Sequence, residues 1–226
     1  MSDSEKFVEM CTRNNNLRHN MPTGNDLILV FDIDDCLYQS VELANHHADY
    51  VKNGFINLSK LTEDDWHMHC TSFPLYRELF FKLFNIHPSD FCKVFDMPEL
   101  HKFVSPDLDL KTLLESIKIR KFCFTNGSKE RAKLVLSYLQ IEHIFEAIVC
   151  SDTIDTEFIC KPMAEAYKFF ENYTGVTDPK KIYFFDDSEK NIKNAISHGW
   201  NAVHVNIDIK DCIKNVLSEI KMANGD

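Results

Sequence analysis

Five apolar residues, Leu27-Ile28-Leu29-Val30-Phe31, run directly into Asp32-Ile33-Asp34. Such a run suits a strand buried on both faces of a parallel sheet. Two carboxylates do not suit its interior, because burying an unpaired charge is costly, so they belong where the strand leaves the sheet. The pattern recurs twice. Arg120-Lys121-Phe122-Cys123-Phe124 enters Thr125-Asn126-Gly127-Ser128, and Lys181-Ile182-Tyr183-Phe184-Phe185 enters Asp186-Asp187-Ser188. Short apolar runs at 147–150 and 202–205 read as further strands.

Between the strands the period becomes helical. One helix follows Thr125, with Ser128 as its N-cap and Ala132, Val135, Leu136 and Leu139 along one face. Lys161-Pro162 opens a second, running to about Tyr173 and ended by Gly175. A third runs from Ser188 to His198, with Ile192, Ala195 and Ile196 inward, and stops at Gly199. A last helix covers 210–222. Strands alternating with helices predict an α/β fold, a Rossmann-like parallel sheet.

Residues 40–105 break the alternation and read as helical throughout. Val41, Ala44, Ala48 and Val51 mark one apolar face, Leu75, Leu79, Phe80 and Leu83 another, and Pro88 starts a helix over 89–95. The block is an insertion after the first core strand. Residues 1–24, with Asn14-Asn15-Asn16, Pro22 and Gly24, read as a loose N-terminal extension. The expected division is an extension (1–24), a core (25–39 and 106–226) and a helical insertion (40–105).

Composition narrows the function classes. With 44% hydrophobic residues in 226, the chain can build a core of domain size. Its net charge of −10 disfavours a nucleic-acid polymer or an anionic membrane as main partner. No apolar run approaches the roughly 18 residues of a membrane-spanning helix. The polar, acidic start lacks a signal-like apolar segment, so a cytoplasmic or nuclear location is expected, and a monomer is compatible with the sequence. None of the eight cysteines forms a Cys-x-x-Cys pair, and they read as small core residues. His67 and His69 do not share a helix face and read as surface residues, as does His46-His47. Trp66, Phe73 and Tyr76 either pack between helices of the insertion, the first expectation, or stack on a base or ring of a substrate. Arg77 either meets a substrate anion or covers a helix face.

If the three long strands are parallel neighbours, Asp32, Asp34, Thr125, Asp186 and Asp187 converge, with Lys161 as counter-charge. A carboxylate fixed at a strand end can attack phosphorus, and a second one can deliver and accept a proton. Hard carboxylate oxygens at Asp186 and Asp187 suit Mg²⁺. Thr125 and the amides after it, at a helix N-terminus, suit a phosphate. Four carboxylates against one lysine would repel that phosphate unless a divalent cation were bound.

Asp32-Ile33-Asp34, Phe124-Thr125-Asn126, Lys161-Pro162 and Asp186-Asp187-Ser188, in this order, resemble the four motifs of the haloacid dehalogenase superfamily over about residues 27–206. The resemblance implies a Rossmann-like core, an aspartyl-phosphate intermediate and Mg²⁺. It makes Asp32 the nucleophile and Asp34 the general acid/base. Thr125, with Asn126 beside it, binds the phosphoryl group, which Lys161 stabilises. Asp32, the Asp34 main-chain carbonyl and Asp186 hold the metal, supported by Asp187. The helical insertion is then a cap. The wording around 31–38, 160–162 and 186–192 is similar to the fungal pyrimidine 5′-nucleotidases. That implies a small phosphomonoester substrate, a nucleoside 5′-monophosphate in the first place. Two departures stand out: Asp35-Cys36 follows the second aspartate where many superfamily members carry Gly-Thr or Asn-Thr, and the Tyr-Gly-Leu-like cap segment usual in the nucleotidase branch is not recognisable around Cys70-Thr71-Ser72-Phe73-Pro74. Sugar phosphates, phosphoglycolate or a phosphorylated cofactor are the alternatives. Asp34 argues against halide displacement, the helical insertion against a receiver domain, and the complete acid set against a non-catalytic binding protein.

Overall fold

The computed structural model describes residues 6–96 and 99–224. Six parallel strands form one sheet in the order β1-β4-β3-β2-β5-β6. They are β1 (Phe7–Met10), β2 (Ile28–Phe31), β3 (Arg120–Ser128), β4 (Ala147–Ser151), β5 (Ile182–Asp186) and β6 (Asn201–His204). From β2 the chain moves outward through β3 and β4, then crosses back to β5 and β6 on the other side. The order therefore reverses at β2, and the carboxyl ends of β3, β2 and β5 flank a switch point, the usual ligand position in open α/β sheets.

Side-chain alternation along β2 feeds two cores. Leu29 and Phe31 join the apolar cluster on one face, Ile28 and Val30 the cluster on the other. The first face is covered by α5 (Leu108–Ser116), α6 (Lys129–Leu139) and α9 (Ile209–Asn224), the second by α7 (Ala164–Thr174) and α8 (Glu189–Ser197). A third cluster belongs to the insertion. There α1 (Val41–Ser59), α2 (Glu63–Cys70), α3 (Tyr76–Phe84) and α4 (Pro88–Phe95) surround Val51, Phe55, Trp66, Leu79, Phe80, Phe91 and Phe95. No helix among the described residues is long and apolar enough to cross a membrane.

Several expectations need correction. Residues 7–10 are not part of a loose extension; they form edge strand β1, in register with residues 148–151. The partner lies far along the chain, so local sequence could not reveal the pairing. The segment that follows is also fastened: His19 and Thr23 amides donate to Tyr173 and Thr174 carbonyls at 2.8 Å, and Arg13 donates to Asp152 at 2.6 Å. The inward faces of α1 and α3 are rotated from the expected ones. Leu43, Val51 and Phe55 are buried while Val41 is exposed, because α1 serves both the sheet cluster and the insertion's own. In α3 the buried residues are Arg77, Leu79 and Phe80, and Leu83 faces outward. Ile196 in α8 is likewise exposed. Finally, α7 begins at Ala164 rather than Pro162. The Lys161 backbone is held elsewhere, as described below, and the Lys161–Pro162 peptide is cis.

Candidate active site

Asp32 extends β2 by one residue; its amide donates to the Phe185 carbonyl at 2.8 Å, so the sheet itself fixes the carboxylate. Asp186 ends the adjacent strand β5. Between them lies the Lys161 ammonium, 1% exposed, donating to Asp32 Oδ1 at 2.7 Å, Asp186 Oδ2 at 2.6 Å and the Phe124 carbonyl at 2.6 Å. These contacts use all three donors of the group. Lys161 therefore ties the ends of β2, β3 and β5 together.

Asn126 is similarly committed. Its amide nitrogen donates to the Lys161 carbonyl and its oxygen accepts from the Lys161 amide, both at 2.8 Å. This pair of bonds, and not a helical turn, sets the Lys161 backbone. The Asn126 side chain thus braces the lysine.

Residues 125–127 fall where the β3–β4 register shifts, between Phe124 and Ser128, and so bulge from the ladder. Ser128 caps α6, accepting from the Arg131 amide at 3.1 Å. Thr125 is buried, and its hydroxyl oxygen accepts from the Gly127 amide at 3.0 Å. A β-carbon on Gly127 would lie 3.4 Å from both Thr125 Oγ1 and Asp34 Oδ2. The glycine thus leaves open the space on which these two oxygens converge.

Asp34 has a partner that the sequence reading missed. Arg131 Nε donates to both carboxylate oxygens at 3.0 Å and Nη2 to Oδ1 at 2.9 Å. The Tyr38 hydroxyl donates to the same Oδ1 at 2.5 Å. Burial alone pushes the Asp34 carboxyl up, but the guanidinium and these hydrogen bonds outweigh it and hold it below the ordinary carboxylate range. A signal was present: Arg131 lies four residues before Val135, on the apolar stripe of α6, and a charge on a buried face needs a partner.

Elsewhere burial wins. It pushes Asp32 well up, opposed by Lys161 and reinforced by Asp186. Burial, then the Asp186 charge, push Asp187 up to about 6. Burial would lower Lys161, but Asp186 and Asp32 hold it charged, above its usual range. Asp186 is pinned from behind: its Oδ1 accepts from the Ser188 amide at 2.8 Å, and Asn191 Nδ2 reaches both oxygens at 3.0 Å.

Asp32, Asp186 and Asp187 each offer a carboxylate oxygen, all within 4.8 Å of one another. This is a hard-oxygen set of the kind that holds a divalent cation, and the opposed charges make a cation favourable there. His67 and His69 belong to no such cluster among the described residues. Of the eight free cysteines seven are buried, Cys70 being the exception. Trp66 packs in the insertion's core. Arg77 does not meet solvent: it is 4% exposed and its Nη2 donates to the Asn126 carbonyl at 3.1 Å, joining α3 to the end of β3, while its buried Nε has no protein partner. A cavity of about 430 Å³ lies between the insertion and the strand ends, with Asp34, Gly127 and Arg131 on one side and Phe73, Tyr76 and Phe91 on the other.

A parallel α/β sheet with acids, a threonine and a lysine at its switch point defines a class of hydrolase. The family profile described as haloacid dehalogenase-like hydrolase matches residues 28–199, and the chain belongs to that family. It is similar to "Phosphate metabolism protein 8" of Saccharomyces cerevisiae, 27% identical over 135 residues, which cover 55% of this chain and 42% of that protein. The match thus spans less than half the length of the yeast relative. Among solved structures it resembles a predicted phosphoglycolate phosphatase from Haemophilus somnus (TM-score 0.53, 21% identity, 82% of this chain and 90% of that one). It also resembles a family enzyme from Bacteroides thetaiotaomicron in complex with magnesium and inorganic phosphate (TM-score 0.51, 20% identity, 80% and 94%). An L-2-haloacid dehalogenase shares the fold as well (TM-score 0.51, 17% identity, 80% and 87%).

Proposed function

We propose that this chain is a Mg²⁺-dependent phosphomonoesterase that works through an aspartyl phosphate on Asp32. A nucleoside 5′-monophosphate, pyrimidine by preference, is the leading substrate. The observation that carries the reading is the convergence of Asp32, Asp186 and Asp187 at Lys161, with Asp34 and Thr125 converging over Gly127, at the carboxyl ends of β2, β3 and β5. The resemblance of residues 31–38, 160–162 and 186–192 to the pyrimidine nucleotidases supports the substrate. The magnesium and phosphate bound by the Bacteroides enzyme support the metal. The cavity is within the usual size range for a small-molecule site.

Asp32, the Asp34 main-chain carbonyl and Asp186, supported by Asp187, would hold the Mg²⁺, which screens their charge and polarises the phosphoryl oxygens when bound. An Asp32 carboxylate oxygen attacks phosphorus and forms the acyl phosphate as the ester P–O bond breaks. Asp34, which Arg131 keeps ionised in the free site, takes up a proton as the phosphoester binds and gives it to the departing alkoxide. It then takes a proton from the water that attacks the same phosphorus, and the carboxylate of Asp32 is released with inorganic phosphate. Thr125 Oγ1 and the space above Gly127 receive the phosphoryl group. Lys161 acts as a fixed cation that keeps Asp32 and Asp186 in register. A proton donor at Asp34 beside the nucleophile suits an ester leaving group, whereas halide leaves without one.

A screen of phosphate release over nucleoside monophosphates, sugar phosphates and phosphoglycolate tests the substrate. Highest kcat/KM on UMP or CMP is the expected result. A sugar phosphate ahead of both by tenfold, about 1.4 kcal/mol of transition-state discrimination, would overturn the nucleotidase reading.

A further inference from the structure

The cavity beside Asp34 contains two buried polar atoms that the protein leaves unpaired. Asp96 is 7% exposed, lies at the end of α4, and its Oδ2 has no hydrogen-bond partner. His47 lies on α1, and its Nε2 is also buried and without a partner. Both residues line the same cavity as Asp34, Gly127 and Arg131. Buried polar atoms are nearly always paired, so two unpaired ones on residues that line one cavity mark a place where a ligand completes the bonding.

The chemistry of the missing partner follows from the atoms. A carboxylate oxygen only accepts. The His47 ring makes its backbone contact with Phe95, a contact that favours the protonated ring and so comes from the other nitrogen acting as donor. Burial, then the Arg131 charge, lower the imidazole against the Asp96 charge that raises it, which favours the neutral ring with its lone pair on Nε2. Two acceptors cannot satisfy each other. Tyr38 Oη donates to Asp34, and Arg131 donates to Asp34, to Tyr38 and to the Asp96 carbonyl, which accepts from Nη1 at 2.5 Å; none of these bonds reaches Asp96 Oδ2 or His47 Nε2. Arg131 also sets the spacing. One edge of its guanidinium holds Asp34 and another nitrogen holds the Asp96 backbone, so Asp96 stands one guanidinium away from the proposed proton donor. A phosphoester seated at Thr125 and Asp34 would extend its organic part toward Asp96 and His47.

We infer that Asp96 and His47 form a subsite that reads neighbouring hydroxyl groups on the organic part of the phosphomonoester, as the 2′- and 3′-hydroxyls of a ribosyl group would supply. This rests on the phosphatase reading above and adds to it a selectivity that the core motifs do not contain. Phe73 and Tyr76 wall the remainder of the cavity. A site built to accept substrate hydroxyls rejects an analogue that lacks them, because its own buried acceptors are then left bare.

The test compares kcat/KM for UMP, 2′,3′-dideoxyuridine 5′-monophosphate and ribose 5-phosphate. Wild type should favour UMP over the dideoxy analogue by about tenfold or more. Asp96→Ala and His47→Phe should each bring that ratio toward unity. They should also weaken ribose 5-phosphate, which keeps the hydroxyls and lacks the base. Equal rates of wild type on UMP and the dideoxy analogue would overturn the subsite and leave the phosphatase reading standing, as would an undiminished ratio in folded Asp96→Ala or His47→Phe. No phosphate release from any ester would refute the phosphatase reading itself, and the subsite with it. Should Asp96→Ala fail to fold, the wild-type ratio and His47→Phe, on a partly exposed helix position, decide the matter.

Discussion

Lys161 carries more of the site than its one charge suggests. It is buried, all its donors are used, and it separates two carboxylates that would otherwise face each other. Removing one partner of a buried ion pair costs about 3–5 kcal/mol, because the remaining charge is stranded. Lys161→Met should lower stability by that amount in urea unfolding without metal, and should abolish turnover; a loss under 1 kcal/mol would contradict the tie. Asp34 makes a different prediction. As acid/base it should be worth about 10²–10⁴ in rate, most on alkyl esters, whose leaving group needs a proton. Asp34→Asn should therefore lose far more on UMP than on an aryl phosphate with a good leaving group, and equal losses would remove it from proton transfer. The acids, Thr125 and Lys161 were legible in sequence because each ends an apolar run or precedes a proline. Arg131, Tyr38 and Asn191 were not, since their value lies in partners brought together only by the fold.

At the scale of elements, β1 was the least legible. Four residues with one polar member give little periodicity, and the parallel partner β4 is distant in sequence. The segment after β1 is fixed by Asp152, which accepts from the Ile154 and Asp155 amides at 2.5 and 2.8 Å and from Arg13. Burial raises the Asp152 carboxyl, but these bonds outweigh it and hold it below its ordinary value. A depressed carboxyl stabilises the fold above its unfolded value of 3.8 and loses that contribution as pH falls through the folded value. Asp152→Asn should thus lower Tm at pH 7, by about 1–2 kcal/mol in stability, and the difference from wild type should vanish in strong acid. A gap that persisted or widened below pH 3 would contradict the assignment. Within the insertion, Gly54 on α1 faces the Phe95 ring, where a β-carbon would come within 2.4 Å of Cε1. That ring is held between Phe80 and Phe91, both at 5.0 Å. Alanine gains up to about 1 kcal/mol of helix propensity, but overpacking costs about 1–3 kcal/mol. Gly54→Ala should therefore destabilise the protein, and a rise in Tm would show the cluster to be looser than described.

Across the whole molecule, three apolar clusters divide the work: two sandwich the sheet and one holds the helical insertion together. The alternation of strand and helix, and its interruption at 40–105, made this plan readable from the sequence. The joints between the parts were not readable. Arg77 reaches the Asn126 carbonyl and Arg131 the Asp96 carbonyl, so two buried arginines connect the insertion to the strand ends that carry the acids. A buried arginine on a helix face looks like a surface charge until its partner is known. Both joints border the cavity or the Thr125 loop, so the substrate-facing surface and the attacking carboxylate are parts of one assembly. At its centre is the claim that Asp32 is the nucleophile of a metal-dependent phosphomonoesterase. The most direct measurement is phosphate release from UMP by wild type and by folded Asp32→Asn, each with Mg²⁺ and with excess chelator. Turnover by wild type only, present with Mg²⁺, lost in chelator and restored by added Mg²⁺, is the predicted result. Turnover by Asp32→Asn, or wild-type activity undiminished in chelator, would contradict it.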